Sequence, residues 1–234
     1  MGIRVANKGL TGNQLKMIAV LTMTIDHIGL ALFPQQILFR VIGRLAFPIY
    51  AFMIAEGCVH TRSMGRYFGT LAAVAAVCQV VYFVAMGSLF QCVLVTFSMS
   101  VAIIALLKNA MGKKSVMAWM AVACGIVLAF FVTEGLPGLL NHTNFFVDYG
   151  FVGVMLPPLV YLAKGKTQKI CVCAILLLAL GHRFANVQMW ALLALPLLAL
   201  YNGRRGKWKM KYFFYIYYPL HLVIIQGLAL LLQK

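Results

Sequence analysis

Apolar residues run along this chain in long blocks instead of alternating with polar ones, and short segments rich in Lys and Arg separate the blocks. A continuous apolar block of this length predicts a helix that crosses a bilayer, most of them with some tilt. Nine such spans can be drawn: Leu15 to Leu32, Ile42 to Cys58, Tyr67 to Met86, Leu89 to Leu107, Val116 to Val132, Val147 to Leu162, Ile170 to Gly181, Val187 to Tyr201 and Phe213 to Leu232. The seventh is short and is expected to be tilted, broken or partly re-entrant. The fold class read from this pattern is all-α: a polytopic membrane helical bundle of about nine transmembrane helices. Residues 1–234 form one domain, with no low-complexity linker and no convincing internal repeat.

The charges sort the ends of the spans. Of the 20 Lys and Arg, all but Arg40, Arg44, Arg183 and Lys234 fall before span one and its edge, or between spans two and three, four and five, six and seven, and eight and nine. That alternation is the positive-inside pattern of a cytoplasmic N-terminus and an extracytoplasmic C-terminus. A multi-pass location in a plasma membrane, in that orientation, is therefore expected.

Composition narrows the classes further. The chain is 63% apolar and only 10% charged, whereas a soluble domain carries about 25% charge. A net charge of +16 suggests nucleic acid in a soluble protein. Here the basic residues sit in short loops between spans, so anionic lipid headgroups are the expected partners and nucleic acid is not. The polar start MGIRVANKGLTGNQ lacks the apolar core and cleavage site of a signal peptide, so span one is expected to be retained. Cys78, Cys92, Cys124, Cys171 and Cys173 fall in spans and Cys58 near a span end; all six read as small buried hydrophobes. No zinc spacing, phosphate-cradling glycine loop or G-x-S-x-G elbow is present, and no metal is expected.

Chemistry concentrates in spans one, two and nine. Lys16 and His27 are eleven residues apart, close to three helical turns, so they share a face. Their separation of about 16 Å puts the cation at the membrane surface and the imidazole near the midplane, where ionisable groups are by default candidates for function. Asp26 points about 100° away from His27 and is expected to fix a polar group of another span, an Arg of span two being the candidate. In span two Arg40 and Arg44 are one turn apart near the outer end, and Pro48 is expected to kink the helix. Glu56 lies toward the inner end with Arg62 and Arg66 just beyond. These residues either snorkel to headgroups and water or line a polar interior shared with His27. In span nine His221 is again at mid-depth, with Tyr217 and Tyr218 one turn before it on a similar face. The loop NGRRGKWKMK, Asn202 to Lys211, is the densest cationic segment. It either only fixes topology or receives a polyanion on the cytoplasmic side, with Arg204, Arg205 and Lys211 among its cations. Glu134, His142, Asp148, His182 and Arg183 read as solvated residues of outer loops and span ends, and Asn141-His142-Thr143 matches a glycosylation acceptor pattern.

Five stretches together carry a resemblance: LKMIAVLTMTIDHIG (15–29), GRLAFPIYAFMIAEG (43–57) with Thr61-Arg62 following, DYG (148–150), YNGRRG (201–206) and KYFFYIYYPLHL (211–222). They resemble the TraX family of bacterial membrane proteins, named for acetylation of the conjugative pilin subunit. The chain is also similar to the wider group of transmembrane acyltransferases, in which a basic residue, ten intervening residues and a His mark the first span. The resemblance implies that acetyl-CoA enters from the cytoplasm as acyl donor. It makes His27 the catalytic histidine and Lys16 a cofactor contact, with Arg44, Glu56, Asn202, Tyr218 and His221 as further site members. Combining both lines, His27, Asp26 and His221 form the expected catalytic group. Lys16, Arg62, Arg66, Asn202, Arg204, Arg205 and Lys211 are expected at the cofactor, and Arg40, Arg44, Glu56 and Tyr218 at the acceptor or in support.

The expected function is transfer of an acetyl group from cytoplasmic acetyl-CoA to an amine or hydroxyl of a peptide, sugar or other small molecule. His27 serves either as general base or as a transiently acetylated nucleophile. A proton-coupled small-molecule transporter is the alternative, since intramembrane Asp, Glu, Arg and His also suit relays. A purely structural subunit leaves two mid-membrane histidines unexplained. Topology is directly testable: reporter fusions at Lys164 and Lys234 are expected to report opposite sides of the membrane, and the same side for both would overturn the span count between them.

Overall fold

The computed structural model describes residues 9–184, 186–207 and 210–232, without the side chains of residues 85, 86, 186, 211 and 212. Among these residues the chain is helical throughout, with no strand beyond two isolated bridges, Leu10 to Tyr201 and Gln91 to Val147. The first helix, α1 (Gly12–Leu32), starts on a capping box: Thr11 Oγ1 accepts from the Gln14 amide, and Gln14 Oε1 accepts from the Thr11 amide at 2.8 Å. Two of its otherwise orphaned amides, Gly12 and Asn13, donate to the carbonyls of Arg204 and Arg205 at 2.8 and 2.9 Å. The start of α1 is thereby sewn to the loop that precedes the last helix.

The second apolar run is two helices, α2 (Ile37–Gly43) and α3 (Ala46–His60). The expected kink at Pro48 does not occur. Pro48 is the third residue of α3, where its missing N–H is one of the first-turn donors that has no intrahelical partner anyway. The break falls earlier, at Arg44–Leu45, beside a close approach of α1. A Cβ on Gly43 would lie 2.2 Å from Asp26 Cβ, so only glycine lets α2 come this near. Past the break α3 is the buried axis of the bundle. Phe47, Ile49, Phe52 and Ala55 are at most 2% exposed, packed against Leu15, Leu156, Val160, Leu177 and Leu198 of the surrounding helices.

The remaining elements are α4 (Met64–Met86), α5 (Val93–Lys113), α6 (Val116–Phe130), a π-helical turn at Phe131–Gly135, α7 (Leu136–Leu139), α8 (Gly150–Leu162), α9 (Lys166–Arg183), a 3-10 segment at Asn186–Leu193, α10 (Ala194–Ala199) and α11 (Lys211–Leu232). Each apolar run of the sequence falls on one of these helical stretches. Among the described residues six stretches are long and apolar enough to cross a membrane: 12–32, 37–60, 64–84, 93–113, 116–139 and 213–232; those at 150–162 and 187–199 are shorter. The seventh apolar run is short, as expected, but it is not broken. It lies in an unbroken helix of 18 residues, α9, extended beyond its apolar centre by Lys166 and Lys169 at one end and Arg183 at the other.

Large apolar side chains cover the outside, among them Leu21, Val84, Met117, Val127 and Leu232, which suits a bilayer and not water. The same fact corrects the cysteine reading. Cys58, Cys78, Cys92 and Cys173 are buried, but Cys124 and Cys171 are exposed. In a membrane a small apolar residue does equally well against lipid, so span position does not imply burial within the protein.

Helix α8 carries Pro157 and Pro158 in its interior. Pro158 has no amide to give the carbonyl of Val154, and Ser100 of α5 supplies the bond instead, Oγ to O at 2.7 Å. Ser100→Ala is expected to destabilise the bundle by about 1–3 kcal/mol, the cost of an unsatisfied buried carbonyl. Thermal unfolding of the detergent-purified variant checks this, with a Ser88→Ala control in the loop between α4 and α5.

Candidate active site

Helices α1 and α11 run side by side in the same direction. Lys16 Nζ lies 5.5 Å from the centroid of the Phe214 ring, Thr24 Oγ1 and Tyr217 Oη are 2.6 Å apart, and His27 Nδ1 is 3.0 Å from His221 Nε2. The two imidazoles that the sequence places at matched depth are therefore in direct contact, with ring centroids 4.9 Å apart. His221 is 4% exposed, stacked on Tyr217 and edge-on to Tyr218.

Hydrogen-bond partners assign the protons. His221 Nδ1 is 2.9 Å from the Tyr217 carbonyl, which only accepts, so Nδ1 carries the hydrogen. In the neutral ring Nε2 then holds the lone pair and accepts from His27 Nδ1–H, toward which the Met23 carbonyl also turns. His27 is left with Nε2 as a lone-pair nitrogen, the form a base or nucleophile needs. The neighbouring pair is ordered by the same logic: Thr24 Oγ1 donates to the Val20 carbonyl at 2.8 Å, so the Tyr217 hydroxyl donates to Thr24.

Asp26, one residue earlier on α1, faces α2. Its carboxylate accepts from Arg40 Nη1 at 2.9 Å and from Arg44 Nη2 at 2.9 and 3.0 Å. Arg44 Nη1 donates in turn to Gln188 Oε1 at 3.0 Å, tying the 3-10 segment to the pair. Asp26 thus does what its helical position implies, anchoring the arginines of span two, and its oxygens are committed there and not to the His27 ring.

Asp148 departs from the solvated-loop reading. It is partly buried and within electrostatic reach of Arg44, Arg40 and Asp26. Thr96 Oγ1 donates to its carbonyl at 2.6 Å, and the next residue, Tyr149, holds a left-handed φ of 61° with its ring stacked 3.6 Å from that of Phe47. Glu134 is likewise engaged: it pairs with Arg183 and accepts from the Phe151 amide at 2.9 Å, at the start of α8. His142 and His182 are exposed.

At the opposite end of the bundle a cleft of about 600 Å³ opens among α1, α3, α4 and the loop before α11. Lys16, Arg62, Arg66, Arg205 and His60 stand around it, together with Glu56, which pairs with Lys169 of α9. Apolar residues including Met53, Leu71 and Phe97 line its walls, and Tyr50 and Tyr218 belong to its lining. Tyr218 touches His221, so the cleft ends one aromatic ring short of the histidine pair. Glu56, Arg62 and Arg66 therefore share a cavity with Lys16, while Arg40 and Arg44 sit with Asp26 beside His27. Asn202 and Arg204 are not in the lining. Asn202 orders the loop, accepting from the Arg204 amide at 3.0 Å and donating to the Gly9 carbonyl at 3.2 Å, and Arg204 caps α1 with its carbonyl. The Lys211 side chain lies outside those described. A second groove of about 690 Å³ between α4 and α5 contains no titratable side chain. Among the described residues no three His, Cys, Asp or Glu side chains are grouped to hold a metal ion.

Apolar helices enclosing a histidine pair and a partly buried arginine–carboxylate clamp define a multi-pass membrane protein with a polar cluster inside its helical bundle. The model of the family described as TraX protein matches residues 11–229, and the chain belongs to that family. It is 26% identical over 249 residues to the probable fimbrial assembly protein FimC, serogroup H1, of Dichelobacter nodosus, an alignment covering 94% of this chain and 96% of that protein. It is 50% identical over 46 residues to the uncharacterized protein RP591 of Rickettsia prowazekii (strain Madrid E), covering 20% of this chain and 18% of that one. No solved structure matches the chain.

The clamp generates a stability prediction. Asp26→Asn strands two guanidinium groups in partly buried surroundings and is expected to cost about 3–5 kcal/mol. Thermal unfolding in detergent should show it to be more destabilising than His27→Ala.

Proposed function

We propose that this protein is a membrane-embedded acetyltransferase that takes its acetyl group from cytoplasmic acetyl-CoA and delivers it to an amine or hydroxyl acceptor. The observation that carries the reading is the placement of a lone-pair histidine, His27, just beyond the end of a cleft ringed by cations. Acetyl-CoA pairs a polyanionic nucleotide with a long, thin, mostly uncharged arm. Lys16, Arg62, Arg66 and Arg205 suit its phosphates, and the apolar walls suit the arm. Tyr218 must swing from its edge-on contact with His221 for the thioester to reach His27.

In the direct route His27 Nε2 takes the proton from the acceptor hydroxyl or amine as that oxygen or nitrogen bonds to the thioester carbonyl carbon. The carbon–sulfur bond then breaks, and the leaving thiolate recovers the proton from His27. Loading the acetyl group onto Nε2 first uses the same lone pair, and an acid-labile acetyl-histidine distinguishes that route. His221 holds His27 in the productive tautomer and shares the charge when Nε2 is protonated.

The orientation belongs to this proposal: nine crossings, N-terminus in the cytoplasm, C-terminus outside, in a bacterial plasma membrane. The parallel run of α1 and α11 supports it. With six crossings alone α11 would run antiparallel to α1, so an odd number of the shorter helical stretches must also cross. Three of them, α8, α9 and the 3-10 segment with α10, make nine. The fimbrial-assembly name of the Dichelobacter relative favours a peptide among the candidate acceptors.

Thiol release from acetyl-CoA by the purified protein, coupled to a mass-spectrometric search for acetylated species lost on gene deletion, tests the function. His27→Ala is expected to lower transfer by at least about 10²-fold while the protein still inserts and binds acetyl-CoA. His221→Ala should leave measurable turnover, losing one supporting hydrogen bond worth about 1–3 kcal/mol. Removing charge at Lys16 or Arg205 should raise KM for acetyl-CoA more than it lowers kcat. Full activity in folded His27→Ala overturns the mechanism.

A further inference from the structure

Among the described residues, one buried side-chain polar atom has no hydrogen-bond partner: Nε2 of Gln188. Gln188 is 3% exposed, and its amide cannot be turned over to relieve the fault. Its Oε1 accepts from Arg44 Nη1 at 3.0 Å, and the flipped amide would set N–H groups against the guanidinium, donor against donor. Two N–H groups are thus held unspent where water does not reach, an arrangement that native proteins avoid unless the group has work to do.

Its location says what work. Arg44 connects Gln188 to Asp26, the chain neighbour of His27, and His27 lies in the field of Arg40 and Arg44. Neither Gln188 nor the clamp belongs to the cationic cleft, which reaches the histidine pair from the other end. The bonding of the clamp says what ligand. Arg40 and Arg44 both donate to the Asp26 carboxylate, and Arg44 donates to Gln188 as well, so both guanidinium groups are already engaged. Neither guanidinium therefore stands free for a phosphate or a carboxylate, whereas the unspent amide donor pair suits a hydroxyl or carbonyl oxygen.

We propose that Gln188 is a binding residue for the acceptor, its two unspent N–H groups seating an uncharged hydroxyl or carbonyl oxygen on the clamp side of His27. The assignment rests on the acetyltransferase reading and adds to it a residue and a ligand class: neutral, oxygen-bearing acceptors such as a peptide segment or a sugar, in preference to anionic ones.

The test uses the full chain purified in detergent, with acetyl-CoA as donor and serinamide or O-phosphoserine as acceptor probe. Gln188→Glu keeps an oxygen for Arg44 and deletes both donors; Gln188→Met replaces it where the Glu variant does not fold, as judged by thermal unfolding. Wild type is expected to prefer serinamide at least tenfold over O-phosphoserine. The variant is expected to raise KM for serinamide tenfold or more, with kcat changed less than threefold and acetyl-CoA affinity unchanged. A variant with wild-type KM for serinamide, or a wild type that uses O-phosphoserine equally well, overturns the seat and leaves the acetyltransferase reading standing. Thiol release by wild type that neither probe accelerates also overturns the seat, while leaving the donor side intact. No turnover of acetyl-CoA at all removes the acetyltransferase reading and the seat together.

Discussion

The arrangement of this site depends on the carboxylate of Asp26 lying between the guanidinium groups of Arg40 and Arg44. A lone charge within a bilayer is costly, and a pair is tolerable only if geometry and further hydrogen bonds complete it. Completion here reaches through several elements. Gly43 gives up its side chain so that Asp26 can approach α2. The chain breaks immediately afterwards, which lets α3 turn into the centre of the bundle. Gln188 occupies the remaining Nη1 of Arg44 and thereby fixes the 3-10 segment, and Asp148 lies within electrostatic reach of both arginines. With Asp26 committed to α2, helical geometry turns the next side chain about 100° around α1, and His27 faces α11.

Helix α11 is held differently. Its principal neighbours are α1 and α4, and much of its outward face is exposed apolar surface. The polar contacts from α1 to α11, Thr24 to Tyr217 and His27 to His221, are part of what fastens it. Such interhelical bonds in membranes contribute about 0.6–2 kcal/mol each, so the helix that completes the site is secured in part by the site. Elements of low local stability are the ones that move. The same helix carries Tyr218 between cleft and histidine, which is where a thioester would have to pass.

What the sequence discloses and what it hides follow from the range of the interactions. Lys16, His27 and His221 were legible because helical rise converts residue number into depth, and depth is the coordinate a membrane imposes. Asp26 with the span-two arginines was legible because a charged residue at that depth demands a partner and one face of span two offers it. Asp148 and Gln188 were not, because their burial depends on how the 146–149 loop and the 3-10 segment fold back on the bundle, and no local pattern records that. Gln188 left one signal, a polar side chain near the start of an apolar run. The break at Gly43 was hidden behind Pro48, the stronger local signal, whose effect vanishes once it falls in the first turn of a helix. Asn202 and Arg204 share a motif with Arg205, but alternate backbone directions in a loop send only Arg205 to the cleft.

The two ends of the site differ in charge, and under the proposed acetyl transfer the difference bears on why a histidine pair lies between them. The cleft end gathers Lys16, Arg62, Arg66 and Arg205 with Glu56 already taken by Lys169, so it carries net positive charge. At the clamp end Arg40 and Arg44 are both engaged by the Asp26 carboxylate. A ligand that is anionic at one extremity and neutral at the other can leave its charge at the first end and send only uncharged atoms inward. A neutral acceptor coming from the second end likewise brings no charge to the middle. On the proposed reading both reactants would then meet where charge is least tolerated without either having to shed one. What the centre must supply is a group that is neutral at rest, accepts a proton briefly and passes the resulting charge to a neighbour. Two imidazoles in hydrogen-bond contact, the second tied to a carbonyl and stacked on a tyrosine ring, meet that requirement, whereas a permanently charged Lys or Asp at the same depth does not.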